Sequence, residues 1–348
     1  VGRLLEAGHE VVGYDADLYA RCTLAGEIPS VPTIVKDVRD VSRQDVEGYD
    51  AILHLAGLSN DPLGDYHPHL TEEINTEASV RMAQFAREAG VPRFIYASSC
   101  SVYGASGSAF VTEESPFRPV TPYGESKMRV EQALHNLADE RFSPTFLRAS
   151  TAYGASPRLR FDLVTNNLAA WAFVTGKVFL KSNGTPWRPI VHVEDIVSAY
   201  LAVLHAPREQ VHEEAFNVGS TTENYQIREI AEMVRDVVPG SEVSFADDAG
   251  PDTRCYRVDC NKIARTLHGF KPQWTARRGI EQLYELYRTV ALTVEDFEGQ
   301  RYKRIAHVKH LIEHGLLSEE LRWNQQTGEV VKGEDDDVAT ARQSVSFV

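Results

Sequence analysis

The sequence predicts an α/β fold: a doubly wound parallel sheet followed by a smaller, mixed α/β lobe. Three observations carry that expectation. Short β-rich runs alternate with helical stretches through the first half, the pattern that lays crossover helices on both faces of a parallel sheet. From about residue 155 the alternation loosens into mixed helices, turns and short strands. With 348 residues, 43% of them hydrophobic, the chain is long enough to bury a large core in one or two units.

In chain order, the periodicities predict a helix at residues 4–7 and strands at 10–14, 33–36 and 51–55. A helix at 71–89, a strand at 94–97, a helix at 123–140 and a strand at 145–147 follow. In the 123–140 segment Val130, Ala133, Leu134, Leu137 and Ala138 recur at helical spacing and make one buried stripe. Further on come strands at 187–193 and 215–218 and helices at 227–238 and 278–290. The expected division is a sheet domain over 1–155, joined by 190–218, and a second lobe made of 156–189 and 219–323. Residues 324–348 are polar, carry an acidic run at 334–337 and show no periodicity, so a disordered tail is expected there.

A Rossmann-type sheet opens with a strand and a glycine-rich turn whose N–H groups meet a dinucleotide pyrophosphate at a helix N-terminus. This sequence opens instead on Val1-Gly2-Arg3-Leu4-Leu5-Glu6-Ala7-Gly8-His9, the back half of such a helix. Gly2 has no strand before it, and Gly8 stands where a helix C-cap belongs. The first strand and its turn are therefore expected to be absent, with the natural protein starting roughly 20 residues earlier, the size of the usual unit.

A formal net charge of −14 leaves no broad basic field for phosphate backbones or anionic lipid, which argues against nucleic-acid and membrane partners. Cysteines 22, 100, 255 and 260 have neither the spacing of a disulfide framework nor that of a zinc site, so reduced thiols, no metal and a cytoplasmic protein are expected. No apolar run reaches the roughly 20 residues that span a bilayer, and the first residues lack the order of a signal peptide.

The chemistry is concentrated in Pro122-Tyr123-Gly124-Glu125-Ser126-Lys127 and in Ala97-Ser98-Ser99-Cys100-Ser101-Val102-Tyr103-Gly104. Tyrosine and lysine four apart share a helix face, so the ammonium favours the ionised phenol. A free phenol titrates near 10, too high for a base at neutral pH, and a neighbouring cation lowers it. A serine at the end of the preceding strand shares the proton of a substrate hydroxyl. Chance alone supplies Tyr-x-x-x-Lys on many helices; the serine-rich strand end just upstream, in β-then-α order, favours the functional reading.

With these motifs the chain resembles the extended short-chain dehydrogenase/reductase family, the NAD-dependent nucleotide-sugar epimerases and dehydratases, over residues 1 to about 323. The resemblance implies Ser99, Tyr123 and Lys127 as catalytic residues, Lys127 also holding the nicotinamide ribose. It makes 1–155 the NAD-binding domain and the second lobe the substrate-binding one. Asp15, ending an early strand, suits adenosine ribose hydroxyls and repels a 2′-phosphate, which favours NAD over NADP. By the same resemblance Asp37 and Val38 contact the adenine, Leu55, Ala56 and Gly57 line the pyrophosphate and nicotinamide, and Asn75 supports the central strands. Asn166 and Asn167 are implied for the nucleotide diphosphate, together with Arg188, whose fork suits two phosphate oxygens, and Arg254. Thr151 stands where the family often has Asn, and Lys181 where an aromatic often stacks on the base. His192 and Glu194-Asp195 are read as orienting a loop and capping the next helix.

Family dehydratases carry Asp-Glu directly after the catalytic serine or threonine, and the decarboxylases a Glu; here stand Cys100 and Ser101. Epimerisation at C4 of a nucleotide-diphosphate sugar is therefore the expected reaction. The alternatives are a dehydratase, decarboxylase or reductase, an adjacent-carbon epimerase using Cys100, or a non-catalytic dinucleotide sensor; Cys100 itself reads best as a small packed hydrophobe. Ile74, Ala78, Val80, Met82, Ala83, Phe85 and Ala86 exceed one buried stripe, and with the resemblance they imply a homodimer through helices 71–89 and 123–140.

Overall fold

The computed structural model describes residues 1–59, 64, 67–250 and 254–324, without the side chains of 247–250. The tail expected at 324–348 lies outside the described residues, apart from Asn324. Thirteen strands are described: β1 Gly13–Asp15, β2 Thr33–Val35, β3 Ala51–His54, β4 Arg93–Ser99, β5 Ala105–Val111, β6 Ser143–Ala149, β7 Thr151–Tyr153, β8 Lys177–Ser182, β9 Trp187–His192, β10 Ala215–Val218, β11 Asn224–Gln226, β12 Glu242–Gly250 and β13 Cys255–Val258.

The central sheet runs β3-β4-β6-β10, every pair parallel, and a separate parallel pair joins β1 to β2. A doubly wound sheet has the order 3-2-1-4-5-6, with its first strand between the second and the fourth. Here β2-β1 and β3-β4-β6 follow that order with nothing hydrogen-bonded between β1 and β3 among the described residues. The break falls where that order puts its first strand.

Phe94 and Tyr96 of β4 and Phe146 of β6 meet Met82, Ala86, Val130 and Leu134 from two flanking helices in one buried core. Ile95, Leu147, Phe216 and Val218 point to the other face, onto Ala199 and Val203 of the Val193–His205 helix. Alternate residues of fully buried strands thus serve opposite helix layers. A further core gathers Phe161, Leu168, Ile190, Ile230, Leu283 and Tyr287, from the Val164–Thr175, Ile227–Val237 and Ala276–Thr289 helices around β8 and β9.

Boundaries differ from the sequence expectation where tertiary pairing overrides local pattern. The strand expected at 94–97 spans Arg93–Ser99 because all seven residues pair with β6. The strand expected at 10–14 shrinks to Gly13–Asp15, since β2 offers only three partners. The helix expected at 123–140 is Pro122–His135, its end followed by turns through Asp139, whose carboxylate accepts from Arg141 N and Phe142 N. The helix expected at 71–89 starts at Pro68 and contains a π-helical segment, Glu72–Glu77. Among the described residues no helix is long and apolar enough to cross a membrane.

Candidate active site

Ser99 closes β4, and its Oγ accepts from the Ser101 N–H at 3.1 Å and the Ser101 hydroxyl at 2.9 Å. The facing helix starts at Pro122, preset for a first helical turn, with Thr121 Oγ1 accepting from Gly124 N at 3.2 Å. A Cβ on Gly124 would stand 3.0 Å from the Ser101 carbonyl oxygen. Glycine there lets the helix close on the loop after β4, bringing Tyr123 to the strand end that carries Ser99.

Lys127, buried one turn later, donates from Nζ to the Ala97 carbonyl at 2.7 Å. Its ammonium lies 4.7 Å from the Tyr96 ring centroid and 5.6 Å from that of Tyr123. Burial pulls the Lys127 pKa down to about 8, and the charge of Glu131, one turn further along, pushes back. His54, on the neighbouring strand, is pushed down to about 3 by burial and by the Lys127 charge, so it stays neutral and bonds Ser79 Oγ at 2.7 Å. The ammonium therefore faces one carboxylate, two phenols and a neutral imidazole.

Behind this face lies an ion pair that sequence reasoning missed. Glu131 is fully buried; it accepts from Ser98 Oγ and from Arg148, whose Nη2 stands 2.6 Å from Oε2. Arg148 also donates to Tyr103 OH at 3.0 Å, and that hydroxyl donates to Asn217 Oδ1 at 2.7 Å. Such a pair survives burial because its hydrogen bonds are satisfied. The available signal was a carboxylate at i+4 from Lys127, next to Val130 on the apolar stripe.

Asn75 lies in the π-helical segment, a distortion common at functional sites. Its Oδ1 accepts from Leu58 N at 2.7 Å, and its Nδ2 donates to Leu58 O at 3.0 Å and Ser126 Oγ at 3.2 Å. One side chain thus ties the loop after β3 to the Pro122–His135 helix. Gly57 in that loop has φ +151, and a Cβ there would stand 2.9 Å from Asn75 Oδ1, so the backbone needs glycine. Leu55, just past β3, is 58% exposed, an apolar surface offered at the carboxyl end of a parallel strand.

Asp15 ends β1, and Asp37 follows β2 on the same edge; the Tyr14 hydroxyl donates to the Asp37 carbonyl at 3.2 Å. Burial would raise the Asp37 pKa, but Arg39 outweighs it with Nη2 2.7 Å from Oδ2, and the carboxyl is held below its usual range. Val38 is a core side chain. A cradle of Gly57, exposed Leu55 and two carboxylates at strand ends fits an adenine dinucleotide laid across the carboxyl edge of the sheet.

Arg188 on β9 and Arg254 come together, with the Arg188 guanidinium donating to the Arg254 carbonyl. Asn166 and Asn167 lie on the Val164–Thr175 helix. Asn166 is buried, its amide engaged with Gly154 N at 3.0 Å and Arg160 O at 2.9 Å; Asn167 donates to Phe161 O at 2.9 Å. Arg160 reaches back to Ser59 O and Oγ, each at 3.1 Å, and pairs with Asp162. His192 caps its helix, accepting from Glu194 N at 3.2 Å, and Asp195 accepts from Gln273 N and Trp274 N.

The family model described as NAD dependent epimerase/dehydratase family matches residues 1–219, more than half of the chain. The chain belongs to this family. It is 28% identical over 259 residues to a UDP-glucose 4-epimerase of Bacillus subtilis (strain 168), covering 67% of this chain and 73% of that protein. The solved structure of MoeE5 in complex with UDP-glucose and NAD superposes with a TM-score of 0.71 at 25% identity, over 84% of this chain and 94% of that one. The dTDP-glucose 4,6-dehydratase DesIV from Streptomyces venezuelae, with NAD and TYD bound, gives a TM-score of 0.70 at 25% identity, over 82% and 92%. As a member of an NAD-dependent epimerase/dehydratase family the chain is an enzyme, with NAD as its cofactor.

Proposed function

We propose that the protein is an NAD-dependent epimerase of a nucleotide-diphosphate sugar, inverting C4 through a transient keto-sugar. The observation that carries this reading is the Lys127 ammonium on the Ala97 carbonyl, two residues before Ser99 on the same strand, 5.6 Å from the Tyr123 ring, with no carboxylate in the two residues after Ser99. Tyr123 takes the proton of the sugar hydroxyl, Ser99 hydrogen-bonds that oxygen, and Lys127 stabilises the phenolate. Bound NAD supplies hydride acceptance at the sugar carbon and hydride return to its opposite face. Tyr123 gives the proton back in the second half.

Elimination or adjacent-carbon epimerisation needs a further acid or base. Cys100 is 1% exposed, donates to Arg148 O at 3.1 Å, and burial pushes its thiol up to about 12. It is a packed hydrophobe. Ser101 has no charge to offer. Tyr123 is thus left to serve both half-reactions.

Asp15, Asp37, Val38, Leu55, Ala56, Gly57, Asn75 and Lys127 form the cofactor edge in this reading. Arg188 and Arg254, with the helix bearing Asn166 and Asn167, take the diphosphate, and the lobe of 156–189 and 219–323 receives the substrate. The Arg188 contact with the Arg254 backbone carbonyl sets the two residues side by side. Val80 and Phe85 on the Ala78–Ala89 helix are half-buried against the subunit's own core and are the apolar positions whose exposed part a homodimer would cover; Ile74, Ala78, Met82, Ala83 and Ala86 are buried within the subunit. Four free thiols suit a reducing compartment, the cytoplasm.

A panel of UDP-, dTDP-, GDP- and CDP-hexoses, incubated with the protein and no added NAD, tests the reading by product analysis. Formation of a C4 epimer supports it. Tight NAD binding with no turnover on any sugar contradicts it and favours a sensor.

A further inference from the structure

Among the described residues β1 and β2 pair with each other through three residue pairs, and Val35 is 67% exposed. The loops that carry Asp15 and Asp37 are both held by residues 301–323. Trp323 Nε1 donates to Ala16 O at 2.7 Å, His307 Nε2 bonds Leu18 O at 3.1 Å, and Arg301 Nε donates to Arg21 O at 2.9 Å. The Cys22 thiol donates to Arg301 O at 2.9 Å. At the second loop Arg39 Nη2 donates to Glu320 O at 2.8 Å, while Arg322 pairs with Asp40 and stands 3.5 Å from Asp37.

Val308, from the Arg304–Glu313 helix, and Leu321 are buried in the core of the first half, so the segment is anchored by packing as well. An isolated bridge, Leu317 with Trp323, closes the turn that bears Leu321 and Arg322. Asp17, between the first two bonded carbonyls, has φ +56, a conformation costly for a side chain other than glycine and sustained only when its surroundings impose it.

We propose that residues 301–323 form a clasp that retains the dinucleotide by holding shut the two loops at its adenosine end. This rests on the reading above that Asp15 and Asp37 sit at that end. A dinucleotide leaving the edge has to displace the 16–22 loop, and that displacement breaks the bonds from Trp323, His307 and Arg301 together. Retention has a use in the proposed reaction: the same dinucleotide must stay in place between oxidation and return of the hydride, or the keto-sugar is stranded.

The test follows release of bound NADH from the full chain by its fluorescence, chasing with excess NAD, and measures ADP-ribose affinity by calorimetry. Trp323→Phe keeps the ring and loses the N–H donor; Arg322→Ala removes a half-exposed charge and is the variant least exposed to misfolding. Expected are NADH release at least tenfold faster for Trp323→Phe combined with Arg322→Ala, and severalfold faster for Arg322→Ala alone. ADP-ribose affinity falls in parallel, and the melting temperature changes little. Unchanged release and affinity in folded variants overturn the clasp while leaving the cofactor reading intact. A parent chain that binds neither NADH nor ADP-ribose overturns both.

Discussion

The Ser99, Tyr123 and Lys127 edge and the Val164–Thr175 helix spend their polar side chains in opposite ways. At the edge, Lys127 uses one donor on a backbone carbonyl and keeps its charge beside the Tyr123 ring, while Ser99 accepts from its own loop. On the Val164–Thr175 helix, Asn166 gives both ends of its amide to the protein, to Gly154 N and Arg160 O. In the function proposed above, the first region acts and the second positions. A residue type at the right spacing therefore does not fix its role; what decides is whether its hydrogen-bonding capacity is already used.

Four substitutions break or sharpen that contrast, in descending order of expected free-energy effect. Tyr123→Phe removes the base and leaves the ring: turnover on the active sugar should fall about 1,000-fold, with an unchanged circular-dichroism spectrum, and a loss under tenfold would show that another group takes the proton. Asn166→Ala strands a buried N–H and a buried carbonyl, so urea unfolding should show a loss of about 2–3 kcal/mol; undiminished stability with a raised KM would move Asn166 from positioning to direct substrate contact.

Glu131→Gln takes away a carboxylate whose charge favours the Lys127 ammonium. With a pKa of about 8 the ammonium is present below that pH and lost above it, so activity should fall on the alkaline side. The substitution should move that limb to lower pH by roughly one unit, about 1.4 kcal/mol, as read from kcat/KM against pH. A limb that stays in place separates Glu131 from the chemistry and leaves it a purely structural ion-pair partner of Arg148. The smallest effect belongs to Cys100→Ser, for which activity within about twofold of the parent is expected. A hundredfold loss in a folded variant would restore the thiol to the mechanism.

The placement of the candidate catalytic residues was legible because the parts are contiguous: Tyr123 and Lys127 share one helical turn, and Ser99 ends a strand with an unmistakable apolar run. The parallel sheet was equally readable from its alternation with helices. Boundaries were less so, since β4 owes its last residues to pairing with β6 and β1 its shortness to a three-residue partner. The Glu131 and Arg148 pair escaped because its partners lie on different elements, and a buried glutamate looks in sequence like any solvated one. Trp323 on Ala16 is harder still: a backbone acceptor has no residue signature, and 307 positions separate the two.

The central claim is that one tyrosine, with no further acid or base, carries a sugar through oxidation and return at a single carbon. It is tested most directly by turning over the active nucleotide sugar labelled with deuterium at C4 and locating the label by NMR. The account predicts an epimer that keeps its deuterium at C4 and takes up no hydrogen from solvent at C3 or C5. Loss of the label to water, solvent hydrogen on a neighbouring carbon, or a deoxy product would contradict it.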